Sequence, residues 1–319
     1  MTRTVKTAAS LAGSLWWEVA ASLRKVLAVD DIVLDLDWTR YDHLNVRAVS
    51  AGECEIGVTM PPFVDWAQHR RGPLADLRDP DLRVIAAVNL PTWLVAAVDR
   101  TSGVETLRQL GEAKFPWKPI MPPADQLLRA WGERILELHG LSTDDIRSWG
   151  GDDPPPYARG LRHDDPGDGL PARWVSNETE SQLAEYTRHQ SATGLANGVF
   201  MFVNLASPWT TALSVLRDLT FLTLEDEALD TVRREFGAQR VSIPERLFLG
   251  VDSDKPTLGW RHQYIYGRAD TDPELVRAIL RALNRPEFLD NAMGISYTAV
   301  RPGLVSDLRL HPAAEAWYE

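Results

Sequence analysis

Histidine and cysteine are few in this 319-residue chain, and they are scattered. The seven histidines (His43, His69, His139, His163, His189, His262 and His311) contain no i, i+4 pair that would put two imidazoles on one helical face. The single cysteine, Cys54, excludes an intrachain disulfide and a cysteine-based zinc site. Glu53 and Glu55 flank it, and two carboxylates raise a thiol pKa where a reactive thiolate needs it lowered. His163 beside Asp164 and Asp165 falls in a stretch, 150–170, with four prolines, five glycines and five aspartates, which reads as an exposed loop that fixes no ligand geometry. No nucleophile elbow, P-loop, GxGxxG or HExxH motif is present. These patterns predict no bound metal and no cofactor. They leave His262 as the one acid–base candidate, with a structural histidine as the alternative reading.

The remaining chemistry is hydrogen bonding from loops. Ser50 to Ala67, SAGECEIGVTMPPFVDWA, reads as a helix end at Gly52, a short buried strand at Glu55–Val58, a Pro-bearing loop and a helix from about Phe63. Thr193 to Leu216 repeats the pattern, with Gly198 before the apolar run Val199–Val203, the loop Asn204–Pro208 and a helix from about Trp209. A strand that feeds a helix N-terminus leaves backbone N–H groups unpaired at the carboxyl edge of a sheet, where small ligands bind in open α/β folds. The predicted ligand-binding residues are the strand-end positions: Ser10, Gly13, Ser14 and Trp16; Thr59 and Met60; Asn89 and Trp93; Asp125 and Gln126; Asn204, Ser207 and Trp209. Trp93 and Trp209 are expected to sandwich an apolar body, and the hydroxyls and amides to hold an anionic oxygen. No loop supplies an arginine unless Arg40 or Arg261 reaches in.

The elements that would position these residues are legible as periodic runs. Val5–Ala9 is a strand. Leu15–Leu27 is a helix with an apolar stripe at Trp16, Val19, Ala20, Leu23 and Leu27, which Ser10 or Ser14 caps. Ile32–Asp37 is a strand and Tyr41–Val49 a helix. Leu82–Val88 and Leu94–Val98 read as two strands separated by the loop Asn89–Trp93. Trp117–Met121 is a strand, followed by a helix to His139 whose stripe is Leu127, Leu128, Trp131, Ile135 and Leu138. Gly140 ends it. Leu219–Thr223 is a strand, Glu225–Phe236 a helix, and Val241–Phe248 irregular. Leu258–Tyr266 is a strand that returns to the first lobe. Asp272-Pro273 opens a helix to Leu283. The duplicated pattern and the return strand predict an α/β protein of two similar lobes facing a cleft, lobe 1 being 1–100 with 260–319 and lobe 2 being 101–259.

The formal net charge of −11 at pH 7 argues against a general nucleic-acid surface. No run approaches the roughly 18–20 apolar residues of a membrane span. No signal peptide is visible, since Thr2–Ala9 already reads as a strand. The expected location is therefore extracytoplasmic for a processed chain, and cytoplasmic if Met1 is the native start.

The tail His311-Pro312-Ala313-Ala314-Glu315-Ala316-Trp317-Tyr318-Glu319 resembles the "HPGA…YY.E" ending of TAXI-type solute-binding subunits of TRAP transporters. Ala51-Gly52-Glu53-Cys54-Glu55-Ile56-Gly57 resembles that family's "ASGEADIG". Further matches follow in order at Leu222–Leu224, Ile243-Pro244, Gly250–Asp252, Pro256–Gly259 and Arg268–Asp270. The resemblance is patchy but covers nearly the whole chain. It implies a periplasmic-binding-protein type II fold, a small-molecule ligand of carboxylate class and a TRAP membrane permease as partner. The ligand-facing loops depart most. The family's "GTGG..G.Y" stands here as Ala8-Ala9-Ser10-Leu11-Ala12-Gly13-Ser14-Leu15-Trp16-Trp17, and its "GPPGSGT" as Met121-Pro122-Pro123-Ala124-Asp125-Gln126. Three functions compete: a binding protein that closes on a small carboxylate, a cytoplasmic decarboxylase, isomerase or lyase on the same scaffold, and a cytoplasmic ligand sensor, for which no DNA-binding segment is visible.

Overall fold

Residues 2–10, 14–37, 43–78, 81–122, 127–151, 196–204, 218–289, 299–300 and 308–319 are described by a computed structural model. The chain divides into two units, Met1–Pro91 with Arg261–Glu319, and Thr92–Trp260. Both boundaries fall inside long strands, β4 (Leu82–Asp99) and β9 (Lys255–Arg268).

In the first unit, β1 (Arg3–Ala8) is flanked by β2 (Ile32–Asp37) and β3 (Ile56–Thr59) and is parallel to both. The register pairs Ala8 with Asp37 on one side and with Gly57 on the other, so all three strands end at one edge. Parallel neighbours need crossovers, here α1 (Leu15–Leu27) and α2 (His43–Ser50). α1 forms because Trp16, Val19, Ala20, Leu23 and Leu27 recur on one face and bury there. Ser14 starts it by accepting the Trp17 N–H on its hydroxyl, and Arg24 and Lys25 in the last turn suit the negative end of the dipole. β3 leads into α3 (Pro61–His69), with prolines at the first two helical positions. The second half of β9 runs antiparallel to β3, pairing Thr59 with Tyr264 and Gly57 with Tyr266.

The second unit takes the far half of β4. Trp93–Val98 pairs antiparallel with β6 (Gly198–Val203), and Ala97–Asp99 with β7 (Leu219–Phe221). β5 (Pro119–Ile120) lies parallel to β6, and β8 (Gln239–Ile243) antiparallel to Lys255–Gly259 of β9. The helices are α4 (Leu107–Glu112), α5 (Leu127–Leu138), α6 (Thr143–Ser148) and α7 (Asp226–Phe236). Aromatic rings fill the space between α5 and the sheet. Trp131 stacks on Phe236 at 5.2 Å, and Phe202 lies 4.8 Å from Trp260. In the first unit, α8 (Pro273–Leu283), α9 (Pro286–Leu289), β10 (Ala299–Val300) and α10 (Pro312–Tyr318) complete the described α-helices and strands.

Three sequence expectations are corrected. β4 is unbroken for 18 residues, where a loop was expected at Asn89–Trp93. Pro91 costs a strand only one N–H, and Leu90, Thr92, Trp93 and Leu94 around it are all buried, so packing holds the chain extended. The stretch from Val241, expected to be irregular, belongs in part to β8; four of its five side chains are polar or only half-buried, so ladder pairing with β9 forms it without an apolar signal. The buried face of α5 is Arg129, Trp131, Gly132, Ile135 and Leu136, rotated from the expected leucine stripe. A Cβ on Gly132 would lie 3.2 Å from the Phe200 ring, so the small residue sets which face can approach β6.

Candidate functional site

The candidate site of the first unit is the shared carboxyl edge of β1 and β3. Ser10 follows β1 and is 3 % exposed, with φ at 69°, a left-handed conformation that a non-glycine residue holds at a cost of about 1–3 kcal/mol. Thr59, the last residue of β3, is fully buried, and its Oγ1 has no hydrogen-bond partner among the described residues. Met60 follows as the cap position of α3, buried and giving no side-chain cap bond. Ser14 sits half-buried at the start of α1 with its hydroxyl engaged by Trp17. Parallel pairing therefore brings Ser10, Thr59 and Met60 to one edge, as the strand–loop–helix pattern anticipates.

Other predicted residues are placed elsewhere. Trp16 is buried in α1, donating its indole N–H to Gln263 Oε1 at 2.9 Å and meeting Phe63 edge-on at 6.1 Å. Asn89 lies within β4, exposed. Trp93 is in the second unit's core, its N–H donated to the Ser242 carbonyl at 3.0 Å and its ring edge-on to Phe248. That placement corrects the expectation of a loop tryptophan free to cover a ligand. Asn204, just past β6, is 5 % exposed. Gly13, Asp125, Gln126, Ser207 and Trp209 lie outside the described residues. His262 is half-buried on β9, and burial first, then Arg261, holds its imidazole below its ordinary pKa.

None of these residues lines a described cavity. One of about 660 Å³ is lined by Arg47, Glu53, Asp76 and Arg78 among others, and one of about 360 Å³ by Lys6, Asp35, Asp37 and Glu53. A third, of about 450 Å³ in the second unit, includes Arg100, Thr106, Thr220 and Lys255. Among the described residues no group of three metal-binding side chains occurs, and no helix is long and apolar enough to cross a membrane.

A cation that the sequence did not point to stands in the second unit. Arg129 is 3 % exposed in the first turn of α5. Its Nε donates to Glu133 Oε1 at 2.8 Å and its Nη1 to the Pro122 carbonyl at 3.4 Å, which sets the guanidinium at the end of β5. By sequence it is one polar residue in an amphipathic helix. Its burial follows only from the rotation of α5. Of the arginines considered from sequence, Arg261 is exposed and Arg40 lies outside the described residues.

No protein-family model and no curated protein sequence matches the chain. Solved structures do. MatC from Rhodopseudomonas palustris, solved with bound malate, aligns over 95 % of this chain and 92 % of its own at 13 % identity and a TM-score of 0.50. The fold is that of periplasmic solute-binding proteins. Also similar are PhnD1 from Prochlorococcus marinus in complex with methylphosphonate (TM-score 0.49, 9 % identity, 94 % of each chain) and a TctC solute binding protein from Polaromonas (0.47, 14 %, 99 % of this chain and 96 % of that one).

Proposed function

We propose that this protein is a solute-binding protein for a small organic molecule carrying a carboxylate. The observation that carries the reading is the parallel β1–β3 pair, which delivers Ser10, Thr59 and Met60 to one strand-end edge within a solute-binding fold. Ligands of open α/β sheets sit at such edges. Among the described residues of the first unit, Ser10, Ser14, Thr59 and Met60 are the proposed contacts; in the second unit Asn204 is proposed by itself. In the second unit, Arg129, buried and already bonded to Glu133 at 2.8 Å, is the proposed partner of a carboxylate. The resemblance to TAXI-type subunits extends the proposal to an extracytoplasmic location and to delivery of the solute to a TRAP membrane permease.

The test is a thermal-melt panel of mono- and dicarboxylates and amino acids on the full chain, followed by calorimetry. A cognate ligand at 100 times its Kd stabilises the native state by about 2.7 kcal/mol. Arg129→Gln is expected to weaken a carboxylate ligand 10-fold or more. Binding of that ligand unchanged by Arg129→Gln would remove the arginine from the site, and a panel with no saturable shift would remove the solute-binding reading itself.

A further inference from the structure

The edge proposed to hold the ligand in the first unit carries two buried hydroxyls that no described residue engages. Thr59 Oγ1 and Tyr266 OH are both fully buried, and neither has a hydrogen-bond partner among the described residues. They lie on one face of β3. The register sets Tyr266 opposite Gly57, and strand periodicity puts residues 57 and 59 on the same side, about 7 Å apart along the strand. Gly57 is what lets the phenol lie across β3, because a Cβ there would come within 2.6 Å of Tyr266 OH. Native structures keep nearly all buried polar atoms bonded, so two such atoms on one strand face ask for a shared partner.

The chemistry of that partner follows from the donors nearby. A helix N-terminus attracts anions through its first N–H groups, but the first two residues of α3 are Pro61 and Pro62, which have none. The next N–H, of Phe63, is donated to the Met60 carbonyl at 3.2 Å. At α1 the Ser14 hydroxyl already takes the Trp17 N–H, and Glu18 puts a carboxyl group into the first turn. Burial raises the Tyr266 phenol well above its usual pKa, so it stays protonated and donates. A carboxylate set against two neutral hydroxyls, with no cation bonded to either, is poorly compensated for lost water. A hydroxyl, ketone or amide oxygen is matched.

We propose that Thr59 and Tyr266 form a hydrogen-bonding pair that receives an uncharged oxygen of the solute and discriminates against an anion at that position. The proposal rests on the solute-binding reading and specifies the ligand chemistry that this edge accepts.

The experiment uses the full-length protein, Thr59→Val and Tyr266→Phe, and paired probes that share a carbon frame: glutamate with glutamine, benzoate with benzamide, succinate with succinamate. For whichever probe stabilises the wild type, each variant is expected to weaken binding 5- to 10-fold. The melting temperature without ligand should hold or rise, because each change removes an unpartnered hydroxyl at nearly constant shape. Pro62→Ala, which restores an N–H to the first turn of α3, should narrow the preference for the neutral partner of a pair. Unchanged affinity in both hydroxyl variants, with the wild type still binding, overturns the pair and leaves a buried water as their partner. A loss of unliganded stability in both overturns it too, by showing that the hydroxyls are engaged without ligand. No probe stabilising the wild type defeats the underlying reading instead.

Discussion

At the scale of single residues, burial decides what each polar group can do. His311 belongs to the motif that carries the family resemblance, yet its role in this chain is structural. It is 1 % exposed; its Nδ1 accepts the Ala313 N–H at 3.2 Å and its Nε2 is 3.0 Å from the Thr271 carbonyl. That pattern requires the neutral tautomer with the proton on Nε2, and burial keeps the imidazole below its ordinary pKa. Glu18 shows the same force on an acid. Burial raises its pKa, with Lys25 opposing in part. A raised carboxyl pKa means that the native state holds the proton more tightly than the unfolded chain. The penalty is absent below the unfolded value and grows as pH rises through it toward the folded value. Glu18→Gln should therefore raise stability at pH 7 and leave it unchanged near pH 3, as read by urea midpoints at the two pH values. A gain of equal size at both would mean that charge is not the cause.

At the scale of elements, caps and close approaches set the geometry that periodicity alone leaves loose. Ser14 is one hydroxyl on one N–H, and Ser14→Ala should cost about 1 kcal/mol while Ser14→Gly costs a few tenths, measured by denaturant unfolding. Equal losses in the two variants would point to packing of the side chain and not to the cap. Gly198 illustrates a close approach. A Cβ there would sit 2.2 Å from Trp117 Nε1 and 2.4 Å from the Ala97 carbonyl, the two atoms joined by a 3.2 Å hydrogen bond. The glycine that opens the repeated strand–loop–helix pattern is thus required for Trp117 to reach β4, a reason no periodicity could supply.

At the scale of the molecule, the first unit is built from both ends of the chain. Segment 309–311 adds to β4, with Val84 donating to the Arg309 carbonyl at 3.0 Å and His311 donating to the Val84 carbonyl at 2.9 Å. α10 packs on α8, and α8 on α1. Arg285 closes the circuit on α1 through the Val26 carbonyl at 3.1 Å and Asp30 at 2.9 Å. Truncation after Leu308 should lower amide protection of Leu82–Leu90, α8 and α1, and leave β6, α5 and α7 as protected as before. Hydrogen exchange with mass-spectrometric readout separates the two regions, and uniform loss across both would refute independent stabilisation of the first unit.

The sequence by itself determined the elements whose signals are local. α1, β2 and α8 have the predicted bounds, because apolar spacing and a cap or an N1 proline act within a turn or two. The solute-binding fold was legible from motif order along the chain, and the β1 and β3 edge from strands that end in loops before helices. Tertiary structure decided the rest. Pro91 looked like a break until buried neighbours held β4 straight. Trp93 looked like a loop residue until Ser242, 149 positions away, took its N–H. Arg129 became a buried cation only when Gly132 let α5 turn that face to the sheet. Thr59 and Tyr266, more than two hundred residues apart, share a face only through strand register. Each depends on contacts between distant positions, and hydrogen-bond satisfaction and packing act on distances in space that spacing along the chain does not encode.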